Sequence, residues 1–279
     1  MNKSPDYDKI YGFVHSFYLQ QILLIKDFYE YQYDNFANIA NERVNSLYHL
    51  VLSIYLTGYS INLLAQNNLL GEAYILSRSM LEKIINYLYI LSCDENEYKN
   101  YLNYTKQKGY IIHNRTFTAG SVTAELKWSA FIDLERYPEL REAVDQFTSH
   151  KGKTITRWTS RSIAERLAVI ENAGLIRTDI LVLATLGIYD NASEALHGTL
   201  YGATFQYGLF ESKIPSNVKE FTEIYRSHLL SLLIALSGSV NLLFSMVSKS
   251  CSNVRINDLA NKSLSNLTNF KKSTSEFED

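Results

Sequence analysis

Residues 73–91 read AYILSRSMLEKIINYLYIL, an apolar helical pattern that carries the charged residues Arg78 and Glu82. Because these two residues stand four positions apart, their side chains lie on one face of a helix. That face also carries apolar neighbours, namely Tyr74, Ile75, Leu81, Ile85 and Tyr89. A buried charge is costly unless it is paired and hydrogen-bonded, so the pattern indicates either a structural ion pair or a functional site. If the pair is fully buried, truncating Arg78 to Ala costs ~3–5 kcal/mol.

The stretch before this one predicts the helix that packs against it. Residues 44–66 contain no charged side chain, and the polar residues 66–68 separate them from the helix predicted over 71–92. A loop this short between helices favours an antiparallel pair, which we place at the centre of the fold. Only 3 Pro and 12 Gly occur in 279 residues, too few to punctuate many short strands.

We therefore predict an all-α fold, a single helical bundle with a loop-rich basic insertion. The predicted domain covers residues 1–261, and residues 262–279, rich in Ser, Asn, Lys and Glu, are assigned to a flexible polar tail. Six further helices are predicted, over residues 8–42, 94–108, 137–148, 161–173, 178–197 and 217–250.

The charge distribution limits the partners that the chain can take. A net charge of −2 excludes a uniformly basic nucleic-acid binder. Residues 99–166 nevertheless carry 12 Lys and Arg against 7 Asp and Glu, and aromatic residues are interleaved with them. Such a surface is typical of single-stranded nucleic-acid binding, although a solvated helix pair has the same composition. The aromatic residues are Tyr101, Tyr104, Tyr110, Trp128, Phe131 and Trp158.

Residues 229–247 contain no charge over 19 positions, which is long enough for a membrane-spanning helix. An interior helix of a soluble bundle has the same composition, and we favour that interpretation. The two cysteines form no CxxC pattern, so reduced thiols in a cytoplasmic protein are expected. The sequence predicts no metal site and no cofactor.

A second polar set lies on another apolar helix, where Tyr189, Ser193 and His197 are spaced four residues apart. His197 is either a hydrogen-bonded core residue or a general acid/base. Gly198 beside it allows a close backbone approach. Separately, Arg43 and His49 fit the short Arg…His ribonuclease motif of the helical HEPN superfamily, a match weak enough to arise by chance.

The order of several short motifs resembles a prokaryotic family, the domain of unknown function 5677, over residues 44–210. The resemblance implies a helical fold similar to that of HEPN proteins, an association with mobile or defence loci, and a site formed by Arg78, Glu82, Ser193 and His197. The Arg43…His49 motif is not part of that pattern. The motifs that carry the resemblance are Arg78-Ser79-Met80-Leu81-Glu82, Trp158, Ala164-Glu165 and Tyr189…Ser193…His197.

Three functions follow as hypotheses. The first, slightly favoured, is a defence-type antiviral effector or accessory that acts on RNA or a nucleotide, with ribonuclease-like activity through Arg78, Glu82 and His197. The second is a non-enzymatic helical interaction module, with a protein partner from the same operon or a second copy of the chain. The third is a membrane-acting effector that uses Leu229–Val247.

Overall fold

Helices dominate the chain in the computed structural model, which describes residues 7–112, 114–127, 133–150, 153–205 and 216–275. The helices are α1 (Tyr7–Asp34), α2 (Glu42–Ser46), α3 (Tyr48–Gln66), α4 (Leu70–Ser92), α5 (Glu95–Ile111), α6 (Pro138–Gln146), α7 (Ile163–Asn172), α8 (Asp179–Leu196), α9 (Leu200–Phe205), α10 (Val218–Ser250) and α11 (Val254–Ser275). A short antiparallel hairpin, β1 (Asn114–Ala119) and β2 (Val122–Lys127), is the one sheet in the described part. The all-α prediction is confirmed.

The chain divides into two compact units, where the sequence predicts one domain with an insertion. The first unit contains Met1–Ser92 and Ile163–Asp279, and the second contains Cys93–Ser162. The second unit therefore corresponds closely to the basic segment 99–166. It consists of α5, the hairpin and α6, and Pro138 occupies the first turn of α6 as its fixed φ favours.

In the first unit, α4 is the central helix and packs against α3, α7, α8 and α10. The turn after α3 contains Asn68 in a left-handed conformation, with φ 54°, which asparagine tolerates better than most residues. Lys83 of α4 donates to Thr57 of α3 at 2.6 Å, and the Met80 side chain lies beside Gly58. Because residue numbers rise along α3 as they fall along α4 at these contacts, the two helices run antiparallel, as predicted.

The helix predicted over residues 8–42 ends earlier than expected, at Asp34. Asparagine side chains bind the backbone here and offer it an alternative to the helix. Asn45 donates to the carbonyls of Phe36 and Ile39, and Asn41 caps α2 by accepting from the amide of Val44.

Helix α10 is long and apolar enough to cross a membrane, but its most apolar stretch is 67% buried inside the bundle. This helix packs against α1, α4, α8 and α11.

The segment assigned to a flexible polar tail continues as helix α11 through Ser275. Although its composition is polar, α11 has a buried face, on which Ser263 and Phe270 are enclosed against the bundle. Ser263 exchanges hydrogen bonds with Gln21 of α1 and accepts one from Asn241 of α10.

Candidate functional site

Arg78 and Glu82 pair as the sequence predicts. Nε of Arg78 donates to Oε1 of Glu82 at 3.2 Å, within α4. The two side chains remain 24% and 36% exposed, so the pair lies at the edge of the core and not inside it. The apolar face predicted around the pair is therefore open on one side, and solvent reaches both charges.

Tyr189 of α8 completes the surroundings of Arg78. The guanidinium carbon of Arg78 lies 3.9 Å from the centre of the Tyr189 ring, a close cation–π contact. Burial lowers the pKa of Arg78, but its bonding to Glu82 and Tyr189 outweighs that effect and leaves the pKa raised. Burial raises the pKa of Tyr189, and the Glu82 carboxylate raises it further against the opposing charge of Arg78. All three side chains therefore interact electrostatically.

A second arginine approaches the same face of α4. Nη1 of Arg166, on α7, donates to Oδ1 of Asn86, one helical turn beyond Glu82. Burial lowers the pKa of Arg166, while the charge of Glu82 and the hydroxyl of Tyr189 act in the opposite direction. Three helices, α4, α7 and α8, thus contribute to one cluster, which we call the arginine cluster: Arg78, Glu82, Asn86, Arg166 and Tyr189.

The arginine cluster carries two positive charges against one negative charge, so it favours an anionic ligand. Nη1 of Arg78 is enclosed and has no hydrogen-bond partner among the residues that the structure describes. A buried guanidinium N–H without a partner is unfavourable. Because Nη1 is closed to solvent, a ligand must approach the exposed part of the Arg78 side chain. Planar guanidinium groups bind phosphate and carboxylate through paired hydrogen bonds.

The described contacts do not include His197 or Ser193 in the arginine cluster. Ser193 is half-buried one turn beyond Tyr189, and its carbonyl accepts the backbone amide of His197 at 3.0 Å. His197 is exposed at the C-terminal cap of α8. Eight residues separate it from Tyr189, about 12 Å at ~1.5 Å per residue. Gly198 has φ 63°, so it ends the helix in the left-handed conformation that glycine adopts readily.

The literal Arg…His motif is split between two helices. Nη1 of Arg43, on α2, donates to the carbonyl of Ile90 at 3.0 Å and so anchors the end of α4. His49 is exposed on α3, with its ring 3.8 Å from that of Tyr48. Arg43 therefore has a structural partner inside the bundle.

The aromatic residues predicted to stack on bases partly pack against one another within the second unit. The rings of Tyr101 and Trp158 meet edge to face at 5.2 Å. Tyr104 lies against Phe147 and donates its hydroxyl to the carbonyl of Thr156 at 2.6 Å. These rings therefore contribute to the core of that unit. Trp128 and Phe131 lie outside the described residues.

Sequence reasoning missed Arg166 and Asn86. Asn86 follows Glu82 by four residues, so the stripe 78–82–86 could have revealed it. Arg166 directly follows the Ala164-Glu165 motif, but its contact with α4 is tertiary and leaves no local signal. Among the described residues, no group of His, Cys, Asp and Glu could hold a metal ion.

Of three comparisons with known proteins, the one with protein-family models gives a match. No curated protein and no solved structure matches the chain. The model of a family of unknown function (DUF5677) matches residues 44–212, which include α3, α4, α7 and α8 and thus every residue of the arginine cluster. This match covers more than half of the chain and confirms the resemblance drawn from the motifs. The protein therefore belongs to the family of unknown function DUF5677.

Proposed function

We propose that this protein is a cytoplasmic, prokaryotic defence-type effector or accessory that acts on RNA or a nucleotide, and that the arginine cluster binds a phosphate group. The observation that carries the proposal is the presence of two arginines against one carboxylate in the cluster, with the Arg78 side chain 24% exposed and so open to a ligand. Two guanidinium groups around one anion supply charge and directed donors together.

The two arginines of the cluster are suited to binding an anion, and a reaction on the bound group needs side chains that can transfer a proton. Glu82 and the hydroxyl of Tyr189 both interact with Arg78, so they are the first candidates for proton transfer to a phosphate bound there. His197 and Ser193 keep their predicted catalytic role as a hypothesis, which requires the end of α8 to approach the ligand.

A second candidate function is a non-enzymatic interaction module, with a protein partner from the same operon. It is favoured by one observation: the contacts of Arg78 with Tyr189 and of Arg166 with Asn86 link α4 to α8 and α7. In that case the charged groups stabilise the bundle and bind no ligand. Membrane action through α10 is less favoured, because the bundle would have to open to release a helix that packs on four others.

The two functions differ in RNA affinity, which fluorescence anisotropy with a labelled single-stranded RNA measures. We expect Arg78→Met and Arg166→Met each to raise the dissociation constant about tenfold, because each removes a charge-assisted hydrogen bond to phosphate. Arg177→Met is the matched control, since Arg177 is 83% exposed and paired with Asp179 outside the cluster. We expect its affinity within about twofold of the wild type.

Equal affinities for the wild type and the three variants would contradict the phosphate-binding function and favour the interaction module. So would a wild type that binds neither RNA nor nucleotide. Thermal melting followed by circular dichroism checks that each variant is folded. Incubation of the RNA with wild type, Glu82→Gln and His197→Ala then separates binding from cleavage, because only a catalytic group abolishes turnover while affinity is kept.

A further inference from the structure

Helix α3 has two opposite apolar stripes, and only one of them faces the core. The inner stripe repeats every three and four residues and is completely buried: Val51, Ile54, Gly58, Ile61 and Ala65. The outer stripe has the same alternation of three and four: His49, Leu52, Leu56, Tyr59 and Leu63. Such spacing is the pattern by which one helix packs along another.

Four of the five residues of the outer stripe are exposed in the described part of the chain, and Leu52 is half-buried. Leu56 is 53% exposed, Tyr59 40% and Leu63 44%. Single exposed leucines are ordinary, but a continuous apolar row marks an interaction surface. A helix without charges on either face has the composition of an interior helix, yet the residues that the structure describes cover α3 on one side only.

The exposed row continues beyond α3 into an aromatic group. The His49 ring contacts the Tyr48 ring, and Phe36 meets Tyr48 edge to face at 5.9 Å. Phe36 is 50% exposed, and Tyr33, near the end of α1, is 67% exposed. Tyr33 is joined to this group through Tyr29, whose ring lies 6.4 Å from that of Tyr33 and stacks on that of Tyr48. We call the combined surface the α3 seam, which consists of Tyr33, Phe36, His49, Leu52, Leu56, Tyr59 and Leu63.

We propose that the α3 seam is the interface through which two copies of this chain associate. Residues 44–71 contain no Lys, Arg, Asp or Glu, so a two-fold contact of α3 with itself opposes no like charges. The outer stripe extends over 14 residue steps, about 21 Å at ~1.5 Å per residue. Four helical turns of contact, enlarged by the aromatic group, approach the ~1,000 Å² that a specific interface needs.

A helix of a second copy fits the seam better than an irregular partner does. The alternation of three and four residues supplies the knobs that enter holes on an equivalent helix. Leu56 is the midpoint of the outer stripe, so in a centred two-fold pair, parallel or antiparallel, it lies close to its own counterpart.

Sedimentation velocity over a range of protein concentrations tests the proposal. We expect the dimer, with twice the 32.0 kDa mass of the chain, to form by a protein concentration of about 100 µM. Leu56→Glu places two carboxylates at the centre of an uncharged seam, so we expect it to raise the dimer dissociation constant ~100-fold or more. The matched control is Leu186→Glu, because Leu186 is 75% exposed on α8 and lies outside the seam.

Mixing Leu56→Glu with Leu56→Lys gives a positive test, since opposite charges at the midpoint favour the mixed dimer over either homodimer. Leu63→Glu replaces Leu56→Glu if melting shows that the latter is unfolded. A wild type that stays monomeric throughout would overturn the proposal and leave the seam to a different partner. The proposal would also be overturned if Leu186→Glu dissociated the dimer as strongly as the seam variants.

Discussion

Truncation of Arg78 to Ala tests how the arginine cluster stabilises the fold. A fully buried pair would lose ~3–5 kcal/mol, but the observed side chains are 24% and 36% exposed. An exposed helical pair at this spacing contributes about 0.3–0.5 kcal/mol, and the cation–π contact with Tyr189 adds about 0.5–1 kcal/mol. With the packing of the arginine stem, we expect a total loss of about 1–2 kcal/mol.

Urea unfolding followed by circular dichroism measures this loss, and the chain offers a matched control. Lys26 and Glu30 of α1 form a pair with the same spacing and the same 3.2 Å separation, but their side chains are 45% and 54% exposed. We expect Lys26→Ala to cost clearly less than Arg78→Ala, because solvent screens an exposed pair. A loss above about 3 kcal/mol for Arg78→Ala, or a loss equal to that of the control, would refute this assignment of the energies.

Three further outcomes are expected. His197→Ala should leave RNA affinity and melting temperature unchanged, because His197 is exposed at the end of α8; a large change in either would place it in the binding site. Ser263→Ala should lower the free energy of unfolding by about 1–3 kcal/mol, because the buried amides of Gln21 and Asn241 lose a shared partner; an unchanged urea midpoint would contradict this. Burial raises the pKa of Tyr74 from 10.0 to about 12, so its contribution to stability is complete below pH 10 and is lost as the pH rises towards 12. Tyr74→Phe should therefore lose less stability over that range than the wild type, and an identical or steeper loss would refute the assignment.

The sequence predicts the helical core well because its signals are local. The absence of charge over residues 44–66 and the short polar turn before α4 identify the central hairpin without knowledge of other contacts. The break in α1 after Asp34 depends on asparagine side chains that bind the backbone, and periodicity does not register such bonds. The sequence did not predict helix α11, because its composition is polar. Its buried face includes Ser263, a polar residue that hydrogen-bonds to residues of two other helices.

In the candidate site, too, the sequence predicts the local contacts and not the tertiary ones. Arg78 and Glu82 are four residues apart, so helical geometry alone brings them together. The contacts of Arg78 with Tyr189 and of Asn86 with Arg166 join residues about 110 and 80 positions apart, and only the packing of α7 and α8 on α4 creates them. The four-residue spacing of Tyr189, Ser193 and His197 places them on one side of α8. It does not bring them together, because two helical turns separate His197 from Tyr189.

The salt dependence of RNA affinity tests the proposed phosphate binding most directly. Each phosphate contact to single-stranded nucleic acid contributes a slope of about −0.7 to the logarithm of affinity against the logarithm of salt concentration. We expect the double variant Arg78→Met/Arg166→Met to reduce the slope of the wild type by between about 0.7 and 1.4, according to whether the two arginines share one phosphate. Arg177→Met should leave the slope unchanged. The same slope in the wild type and the double variant would show that the arginine cluster contacts no phosphate, and would contradict the proposed function.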